Sequence, residues 1–390
     1  MSKHQARGLR IGIVGAGTAG LAAASAFARR GHAVTVFEKH AGLATLGAGL
    51  LIQPQGVAAL GALGVGQAFE QASVPINHLL GLNQRRWRIV DIPYREHPAR
   101  AVNRAALAQL LHDAALANGV RLRFDAPVDQ LDVQGQLGVA CLGEERAGFD
   151  LLVIADGAAS ALPAAAGLAV PARLYPWGAL WGLFEVDAWA GEQVLAQRYD
   201  GTEKMFGLMP TARVNGRLQL SLFWSLRRDA YAEWKAASLD DWKAGLLAMW
   251  PQAAPVLDQV TTHERLTFAT YYHARPARLA RPPICIIGDA AHAMSPQLGL
   301  GATLAVQDAL LLAEQVDMHG ATEGALRFSK RRLRTVRAYQ ALSRMLTPCF
   351  QANGNGWWRD LVFAGGLYVP GVQRLMYRGV AEPVPIRQEA

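Results

Sequence analysis

The chain has 390 residues, of which 51% are hydrophobic and 18% charged, with 39 glycines and 19 prolines. This composition excludes disorder and collagen-like structure, and it suffices for one large domain or two linked domains. The net charge of +8 raises the question of an acidic partner, such as nucleic acid, an anionic membrane or a phosphorylated ligand. The three cysteines form no CxxC pair, which argues against disulfides and a cysteine metal site and favours a cytoplasmic location.

The first predicted elements form a βαβ unit. Residues 9–14 have the pattern of a short buried strand, 18–30 that of an alanine-rich helix and 33–37 that of a second strand. Such a unit implies a parallel sheet. The basic start before the uncharged run 11–28 imitates a targeting segment, but the four glycines in that run and the strand that follows favour a folded element.

Further along the chain, the pattern changes twice. Helical periodicity covers 57–71 and 104–118, with a hairpin predicted over 77–92 and a buried strand over 150–155. Long aromatic-rich runs between 172 and 273 predict an antiparallel second domain, interrupted by a helix at 239–250. A buried strand at 284–287 and helices at 302–315 and 322–346 then return to the first pattern. The chain therefore leaves one domain and re-enters it.

The segment Gly15-Ala16-Gly17-Thr18-Ala19-Gly20 fits G-x-G-x-x-G between the first strand and the first helix. The first glycine permits a tight turn, the second lets a pyrophosphate approach the backbone, and the third lets the helix pack closely on the strand. The helix N-terminus offers free amides to phosphates. Glu38 ends the second strand, where a carboxylate can accept hydrogen bonds from a ribose, so the site suits FAD or NAD better than NADP.

Four further segments resemble motifs of the class A flavoprotein monooxygenases, the single-component FAD-dependent aromatic hydroxylases. Residues 150–160 resemble the family's DG motif, and residues 288–302, continued by Asp308-Ala309, resemble its GD motif. Gly47-Ala48-Gly49 with Pro54 resembles the segment beside the flavin ring, and Arg104 resembles the start of a cofactor-contacting helix. The resemblance covers residues 9–345 and implies the two-domain hydroxylase fold with FAD between the domains.

We therefore predict an α/β fold with a Rossmann-like FAD-binding domain, a mixed or antiparallel β-sheet substrate domain and a C-terminal helical region. The predicted boundaries are 1–75, 100–165 and 276–345 for the FAD-binding domain, 76–99 and 166–275 for the substrate domain, and 346–390 for the tail. The predicted FAD-binding residues are Gly15, Ala16, Gly17, Thr18, Ala19, Gly20, Glu38, Lys39, Gly47, Ala48, Arg104, Asp156, Asp289, Pro296, Gly299, Gly301 and Ala302. No metal site is predicted.

Four positions depart from the family's pattern. Ile154 and Pro163 stand where the DG motif usually has glycine and arginine, and Leu300 and Thr303 stand where the GD motif usually has glutamine and asparagine. Backbone contacts survive such changes, whereas side-chain contacts do not. The recruitment of NAD(P)H and the details of the flavin contact therefore stay open.

The resemblance also implies an activity. NAD(P)H would reduce FAD, the reduced flavin would add O2 to give a C4a-hydroperoxide, and the distal oxygen would hydroxylate an aromatic or polycyclic small molecule. The partners would be that substrate, O2 and NAD(P)H. Epoxidation, Baeyer–Villiger insertion or another flavin-dependent oxidation on the same scaffold is the nearest alternative, and a non-enzymatic flavin-binding protein is a more distant one.

The substrate pocket is expected where the second domain covers the flavin. Aromatic stacking on a planar substrate is the functional interpretation, and an aromatic-rich sheet core is the structural alternative. Tyr271, Tyr272 and His273 are the polar candidates for a base that activates a phenol. His292, on a predicted buried turn, is expected to pack and bond locally. The pocket candidates are Trp181, Phe206, Phe223, Tyr271, Tyr272 and His273.

Residues 327–344 carry seven basic side chains and no acidic one, which accounts for nearly all of the net charge. A solvated helix face is the simplest interpretation, and an anionic membrane surface or attraction of NADPH phosphates are alternatives. Few aromatic residues interleave these charges, so no nucleic-acid partner is predicted. The apolar tail is too short to span a bilayer; it could cap the pocket, contact a membrane weakly or form a subunit interface. The chain is expected to be a monomer or a homodimer.

Overall fold

The computed structural model describes residues 8–43, 48–94, 96–168 and 170–366. The strands in these ranges are β1 (Arg10–Val14), β2 (Ala33–Phe37), β3 (Gly49–Ile52), β4 (Ser73–Ile76), β5 (His78–Asn83), β6 (Arg88–Pro93), β7 (Ala99–Asn103), β8 (Arg121–Arg123), β9 (Gln130–Gln134), β10 (Leu137–Leu142), β11 (Glu145–Phe149), β12 (Leu151–Ile154), β13 (Ala172–Val186), β14 (Val194–Asp200), β15 (Lys204–Val214), β16 (Arg217–Arg227), β17 (Thr267–Ala274), β18 (Ala280–Arg281) and β19 (Ile284–Ile286). The helices are α1 (Thr18–Ala28), α2 (Pro54–Ala62), α3 (Gly66–Gln71), α4 (Arg104–Ala117), α5 (Leu162–Ala165), α6 (Tyr231–Ala236), α7 (Leu239–Met249), α8 (Ala254–Leu257), α9 (Asp289–His292), α10 (Gly301–Phe350) and α11 (Trp357–Gly366).

A six-stranded sheet carries the first predicted pattern. Its order is β18-β19-β12-β1-β2-β8, and all neighbours are parallel except β18 and β19. β1 and β12 are apolar and almost fully buried, as expected for a parallel sheet covered on both faces. Helix α1, rich in buried alanine, packs against α10. The parallel sheet expected from the βαβ unit is confirmed.

A seven-stranded sheet carries the aromatic-rich pattern. Its order is β17-β13-β16-β15-β14-β5-β6, and it is antiparallel except where β14 pairs with β5. Side chains at even positions, such as Leu180, Phe206 and Trp224, form a core with the helical segment 231–257. Two three-stranded sheets, β3-β7-β4 and β9-β10-β11, complete the sheet structure of the described ranges. The predicted fold class, a parallel sheet with a second mixed sheet, is confirmed.

Two details differ from the sequence analysis. The helix expected over 57–71 is divided into α2 and α3, because Gly64 adopts a φ of 84° between them. The β9–β11 meander was not predicted. The two helices expected at 302–315 and 322–346 are present as the two parts of α10, which are separated by the non-helical Gly320 (φ 77°, ψ 170°). Within the described ranges, no helix combines the length and hydropathy needed to cross a bilayer.

Candidate active site

The carboxyl ends of four parallel strands meet at one edge of the six-stranded sheet. β1 leads into Gly15, β2 into Glu38, β12 into Asp156 and β19 into Asp289. Ligands of open parallel sheets bind outside this edge. A cavity of about 840 Å³ starts here and extends to the seven-stranded sheet, so the motif residues and the aromatic-rich sheet border one continuous space.

The three glycines of the phosphate loop have three different surroundings. Gly15 has a φ of 103°, and a Cβ there would lie 2.6 Å from the carbonyl oxygen of Ala155. A Cβ on Gly20 would lie 1.9 Å from the carbonyl oxygen of Gly15. A Cβ on Gly17 would meet no protein atom within 4 Å. Gly15 and Gly20 are therefore required by the fold, whereas Gly17 leaves open space beside the cavity for a ligand.

The loop and its acidic residue are held together. The Ala16 amide donates to Glu38 Oε2 at 2.8 Å, and the His40 amide donates to Oε1 at 3.0 Å. A carboxylate has about four acceptor positions, so Glu38 can still accept hydrogen bonds from sugar hydroxyls. Among the described residues, no side chain caps the N-terminus of α1, where the first amides lack intrahelical partners. These features fit the ribose and pyrophosphate of a dinucleotide.

Asp156 presents an acceptor that the described residues do not satisfy. Its Oδ2 accepts from the Ser160 hydroxyl at 2.7 Å, while its Oδ1 is buried without a hydrogen-bond partner among the described residues. Burial raises the pKa of this carboxyl above its usual value. Unpaired buried acceptors are costly, and this one belongs to a residue that lines the cavity. A ligand donor at this position would remove the cost.

A buried ion-pair network supports the loop that carries Asp289. The Gly288 amide donates to Asp308 Oδ2 at 2.9 Å, His292 Nε2 lies 2.5 Å from the same oxygen, and Arg332 Nε pairs with Asp308 Oδ1. All three side chains are buried. Burial by itself would raise the pKa of Asp308, but Arg332 and His292 lower it to about 2. The network therefore fixes the backbone just before Asp289.

This network shows that the sequence analysis was wrong about Arg332 and right about His292. Arg332 was counted with the solvated basic face of residues 327–344, but it is only 5% exposed and binds Asp308. The spacing Phe328, Arg332, Val336 follows one buried stripe of α10 and could have revealed this. His292 packs and bonds locally, as the sequence analysis expected, and it does not line the cavity.

The other half of the cavity is mostly apolar. The strands β13 to β17 face it with odd-numbered positions, including Trp181, Met205, Met209 and Phe223, whereas β6 contributes the even positions Val90 and Ile92. Trp181 and Phe223 lie on neighbouring strands with ring centroids 5.3 Å apart. The wall contributed by the end of the described chain was not predicted in residue detail; it consists of Leu342, Met345, Leu346, Phe350, Gln351, Val362 and Phe363. The i, i+4 spacing of Leu342, Leu346 and Phe350 was an available signal.

Tyr271 supplies a hydroxyl in this apolar half. The Trp181 indole Nε1 donates to the Tyr271 hydroxyl at 3.1 Å. Burial raises the pKa of Tyr271 to about 12, so the phenol keeps its proton at neutral pH. It is therefore suited to donate a hydrogen bond and is a poor base at that pH.

Most of the predicted site residues border the cavity. Those that line it are Gly15, Ala16, Gly17, Thr18, Ala19, Glu38, Lys39, Ala48, Arg104, Asp156, Trp181, Phe223, Tyr271, Asp289, Pro296, Gly299, Gly301 and Ala302. The Arg104 amide donates to the Ala48 carbonyl at 3.0 Å, which joins two of the predicted segments. Gly20 packs beneath the loop, and Gly47 lies outside the described residues.

Three pocket candidates lie elsewhere. Phe206 is fully buried on the opposite face of the sheet, in edge contact with Trp250, because its even position points away from the cavity. Tyr272 is also at an even position and does not line the cavity. His273 stacks on Tyr175 at 4.8 Å, and burial lowers its pKa. Strand parity alone would have separated Phe206 and Tyr272 from the cavity-facing residues.

Comparison with known proteins shows which family and which solved structures the chain is similar to. A family model described as "FAD binding domain" matches residues 9–338. An FAD-dependent monooxygenase of Arthrinium sp. is 28% identical over 329 residues, covering 78% of this chain and 75% of that protein. An FAD-dependent urate hydroxylase of Klebsiella pneumoniae is 27% identical over 312 residues, covering 77% and 79%. The crystal structure of Klebsiella pneumoniae HpxO complexed with FAD and uric acid has a TM-score of 0.78 at 20% identity, covering 95% and 97%.

Proposed function

This chain belongs to the FAD-binding domain family, and we propose that it hydroxylates an aromatic or polycyclic small molecule with O2 and NAD(P)H. The observation that carries the proposal is the single cavity that joins the motif-bearing edge of the parallel sheet to an apolar, aromatic-lined face. The bound flavin supplies the electron transfer and the oxygen activation. In balance, substrate, O2, NAD(P)H and a proton give hydroxylated substrate, NAD(P)⁺ and water.

Different residues in the cofactor half of the cavity suit different parts of FAD. The free amides at the start of α1 and the open space at Gly17 suit the pyrophosphate, and Glu38 suits the adenosine ribose. Asp289, which is exposed to the cavity, suits a ribityl hydroxyl. The backbone from Gly299 to Ala302 borders the cavity where α10 begins, and its amides would stabilise negative charge on the reduced ring.

The substrate half performs three tasks with its own residues. Trp181 and Phe223 offer ring faces to a planar substrate, and Met205 and Met209 adapt to its outline. The apolar walls exclude water that would divert the oxygen-transfer chemistry. Tyr271 donates a hydrogen bond that orients a carbonyl or hydroxyl oxygen of the substrate.

Purification and turnover test the proposal. We expect a yellow protein that releases FAD on denaturation, and aromatic compounds that stimulate NAD(P)H oxidation with equimolar O2 uptake. The product should gain one oxygen atom by mass spectrometry, with the label derived from ¹⁸O2. A colourless protein that cannot be reconstituted with FAD would overturn the assignment. Stimulated NAD(P)H oxidation with H2O2 as the product and no labelled organic product, for every compound tried, would overturn the hydroxylation.

Two further expectations concern the cellular location and the oligomeric state of the protein. Cys141, Cys285 and Cys349 are buried free thiols, which supports a reducing, cytoplasmic location. A monomer or homodimer is our expectation for the assembly, to be measured by light scattering.

A further inference from the structure

Helix α11 buries its charged residues and exposes its apolar residues. Its charged pair faces the protein: Arg359 is 0% exposed and Asp360 is 4% exposed. Its apolar residues face outward, with Trp357 62% exposed and Leu361 58% exposed. A helix at a water interface normally has the opposite arrangement. The outward face of α11 is therefore suited to an apolar or interfacial surrounding.

The buried charges explain why the helix holds this orientation. Both Arg359 Nε and Nη2 donate to Asp360 Oδ1, at 2.8 and 2.5 Å, and Arg359 Nη1 donates to the Gly201 carbonyl at 2.8 Å. Asp360 Oδ2 accepts from Asn83 Nδ2 at 2.7 Å. Breaking a buried charged network is costly, so rotation of α11 to hide its tryptophans is disfavoured.

The same network joins α11 to the turn between β5 and β6. Asn83 Oδ1 accepts the amides of Arg85 and Trp87 at 3.0 and 2.9 Å. Trp87 is 39% exposed, and it lines a small surface cleft together with Trp357 and Leu361. We call Trp87, Trp357, Trp358, Leu361 and Val362, with Arg85, the tryptophan surface.

The charge of this surface is positive. Arg85, whose guanidinium lies 5.4 Å from the centre of the Trp87 ring, forms no ion pair with any described carboxylate, while the neighbouring Arg88 is paired with Asp91 and Asp360 is paired with Arg359. Exposed tryptophans beside an unpaired arginine match the headgroup region of an anionic bilayer, where amphipathic rings and cations are both favoured. This is the complementarity that selects a lipid surface.

The tryptophan surface also meets the mouth of the cavity. Val362 is 61% exposed and Met345 is 66% exposed, yet both line the cavity. Phe363 and Leu346 continue the apolar wall inward. A path lined by apolar side chains thus connects the tryptophan surface to the substrate half.

We propose that the tryptophan surface docks on the interface of anionic lipid bilayers and that apolar substrate enters the cavity from the lipid. The exposed apolar residues of α11 and its buried charged pair lie on opposite sides of the helix, so the described part of α11 presents one apolar side to the lipid. The delivery of substrate rests on the proposed function, whereas the docking itself does not, so the two can fail separately.

Vesicle sedimentation of the full-length holoenzyme tests the docking. Vesicles of phosphatidylcholine with phosphatidylglycerol should bind the protein, and pure phosphatidylcholine should bind it more weakly. The double variant W357S/L361S should partition at least about tenfold less, because two apolar side chains no longer enter the interface. The variant R85Q should lose about fivefold on anionic vesicles only, which is the contribution of one arginine near such a surface.

Matched controls separate this surface from others. V133S removes a side chain that is 50% exposed elsewhere, and R331Q/R334Q removes two exposed charges from the basic helix; both should bind vesicles like the wild type. All variants should keep their FAD and their unfolding temperature. The docking is overturned if the wild type does not bind anionic vesicles, if only R331Q/R334Q loses binding, or if W357S/L361S instead dissociates a dimer or lowers the unfolding temperature.

Substrate delivery has its own measurement. With an apolar substrate dissolved in anionic vesicles, W357S/L361S should raise KM and leave kcat unchanged. With a water-soluble aromatic substrate, the same variant should match the wild type. If W357S/L361S and the wild type have the same KM for the apolar substrate as well as for the water-soluble one, substrate delivery is overturned, while vesicle docking is unaffected.

Discussion

At the residue scale, the glycines of the phosphate loop separate folding from binding. A Cβ at position 20 would collide with the carbonyl oxygen of Gly15, whereas a Cβ at position 17 would meet no protein atom. The motif spacing predicted both roles, because each follows from local backbone geometry. In this flavin-dependent oxidoreductase, one glycine can therefore be altered without altering the fold.

Alanine substitutions should show this separation directly. G17A should unfold like the wild type in its apo form but bind FAD at least about tenfold more weakly, because the methyl group occupies space open to the pyrophosphate. G20A should lower the free energy of unfolding by about 3 kcal/mol or more, because backbone atoms cannot yield to the methyl group. Flavin-fluorescence titration and urea unfolding measure the two effects. G61A, in α2 with no neighbour within 4 Å of its Cβ, is the control and should change neither quantity for the worse.

Tyr271 offers a second test at this scale. Since burial raises its pKa to about 12, the phenol remains a donor throughout the neutral range. Y271F should lower kcat/KM about three- to tenfold, the usual contribution of one hydrogen bond, without moving any pKa of the pH–rate profile between pH 6 and 10. If Y271F removed a basic limb from that profile, Tyr271 would be acting as a base and the donor role would be wrong.

At the element scale, α10 serves both halves of the site. Its first turn borders the cofactor half, its middle supplies Arg332 to Asp308, and its last turns supply Leu346 and Phe350 to the substrate half. The helical pattern of this segment was visible in the sequence. The pairing of Arg332 with Asp308 was not, because it joins residues 24 positions apart across two parts of a helix interrupted at Gly320.

Removal of Arg332 should lower the stability of the protein, because the Asp308 carboxylate is then buried without its main cation. R332M leaves the Asp308 carboxylate buried without its main cation, which should cost about 3–5 kcal/mol of unfolding free energy at pH 7. In the wild type the pKa of Asp308 is about 2, below its unfolded value of about 3.9, so the stabilisation is present above about pH 4 and is lost as pH falls through about 2. In R332M the carboxyl should instead take up a proton more readily than in the unfolded chain.

The difference in stability between wild type and R332M should therefore shrink as pH falls from 7 toward 4. Urea unfolding at several pH values measures it. R331M, which alters the exposed neighbour, should stay within about 0.5 kcal/mol of the wild type. A pH-independent loss in R332M would mean that packing, and not the charge of Asp308, accounts for the effect.

The same scale shows how far sequence reasoning reached. Elements with strong local periodicity, such as β2 over 33–37, were placed at their observed bounds. The face of each strand was predicted less well: Phe206 was counted among the pocket candidates, although its neighbour Met205 lines the cavity and Phe206 does not. Position in a strand fixes which residues share a face, but only the packed helices 231–257 decide which face is core.

At the scale of the whole molecule, the site exists only because two sheets meet. The parallel sheet offers backbone amides and carboxylates, the mixed sheet offers aromatic and sulfur-containing side chains, and β3 and β7 pack between them against β15. The sequence identified both surfaces through their motifs and composition. The wall from α10 and α11 that closes the space depends on tertiary contacts far apart in the chain.

FAD should therefore act as a structural ligand of the whole molecule. A ligand that contacts both sheets binds the folded chain and not the unfolded one, so FAD at one hundred times its Kd should stabilise the fold by about 2.7 kcal/mol. Thermal unfolding of the apoprotein at increasing FAD concentrations measures this, and the unfolding temperature should rise with the logarithm of the free FAD concentration. In G17A the same curve should be displaced to higher FAD concentration by the loss in affinity, with an unchanged apo value. An unfolding temperature that does not change with FAD concentration in the wild type would mean that the folded chain does not bind FAD, and a lowered apo value in G17A would show that Gly17 serves the fold.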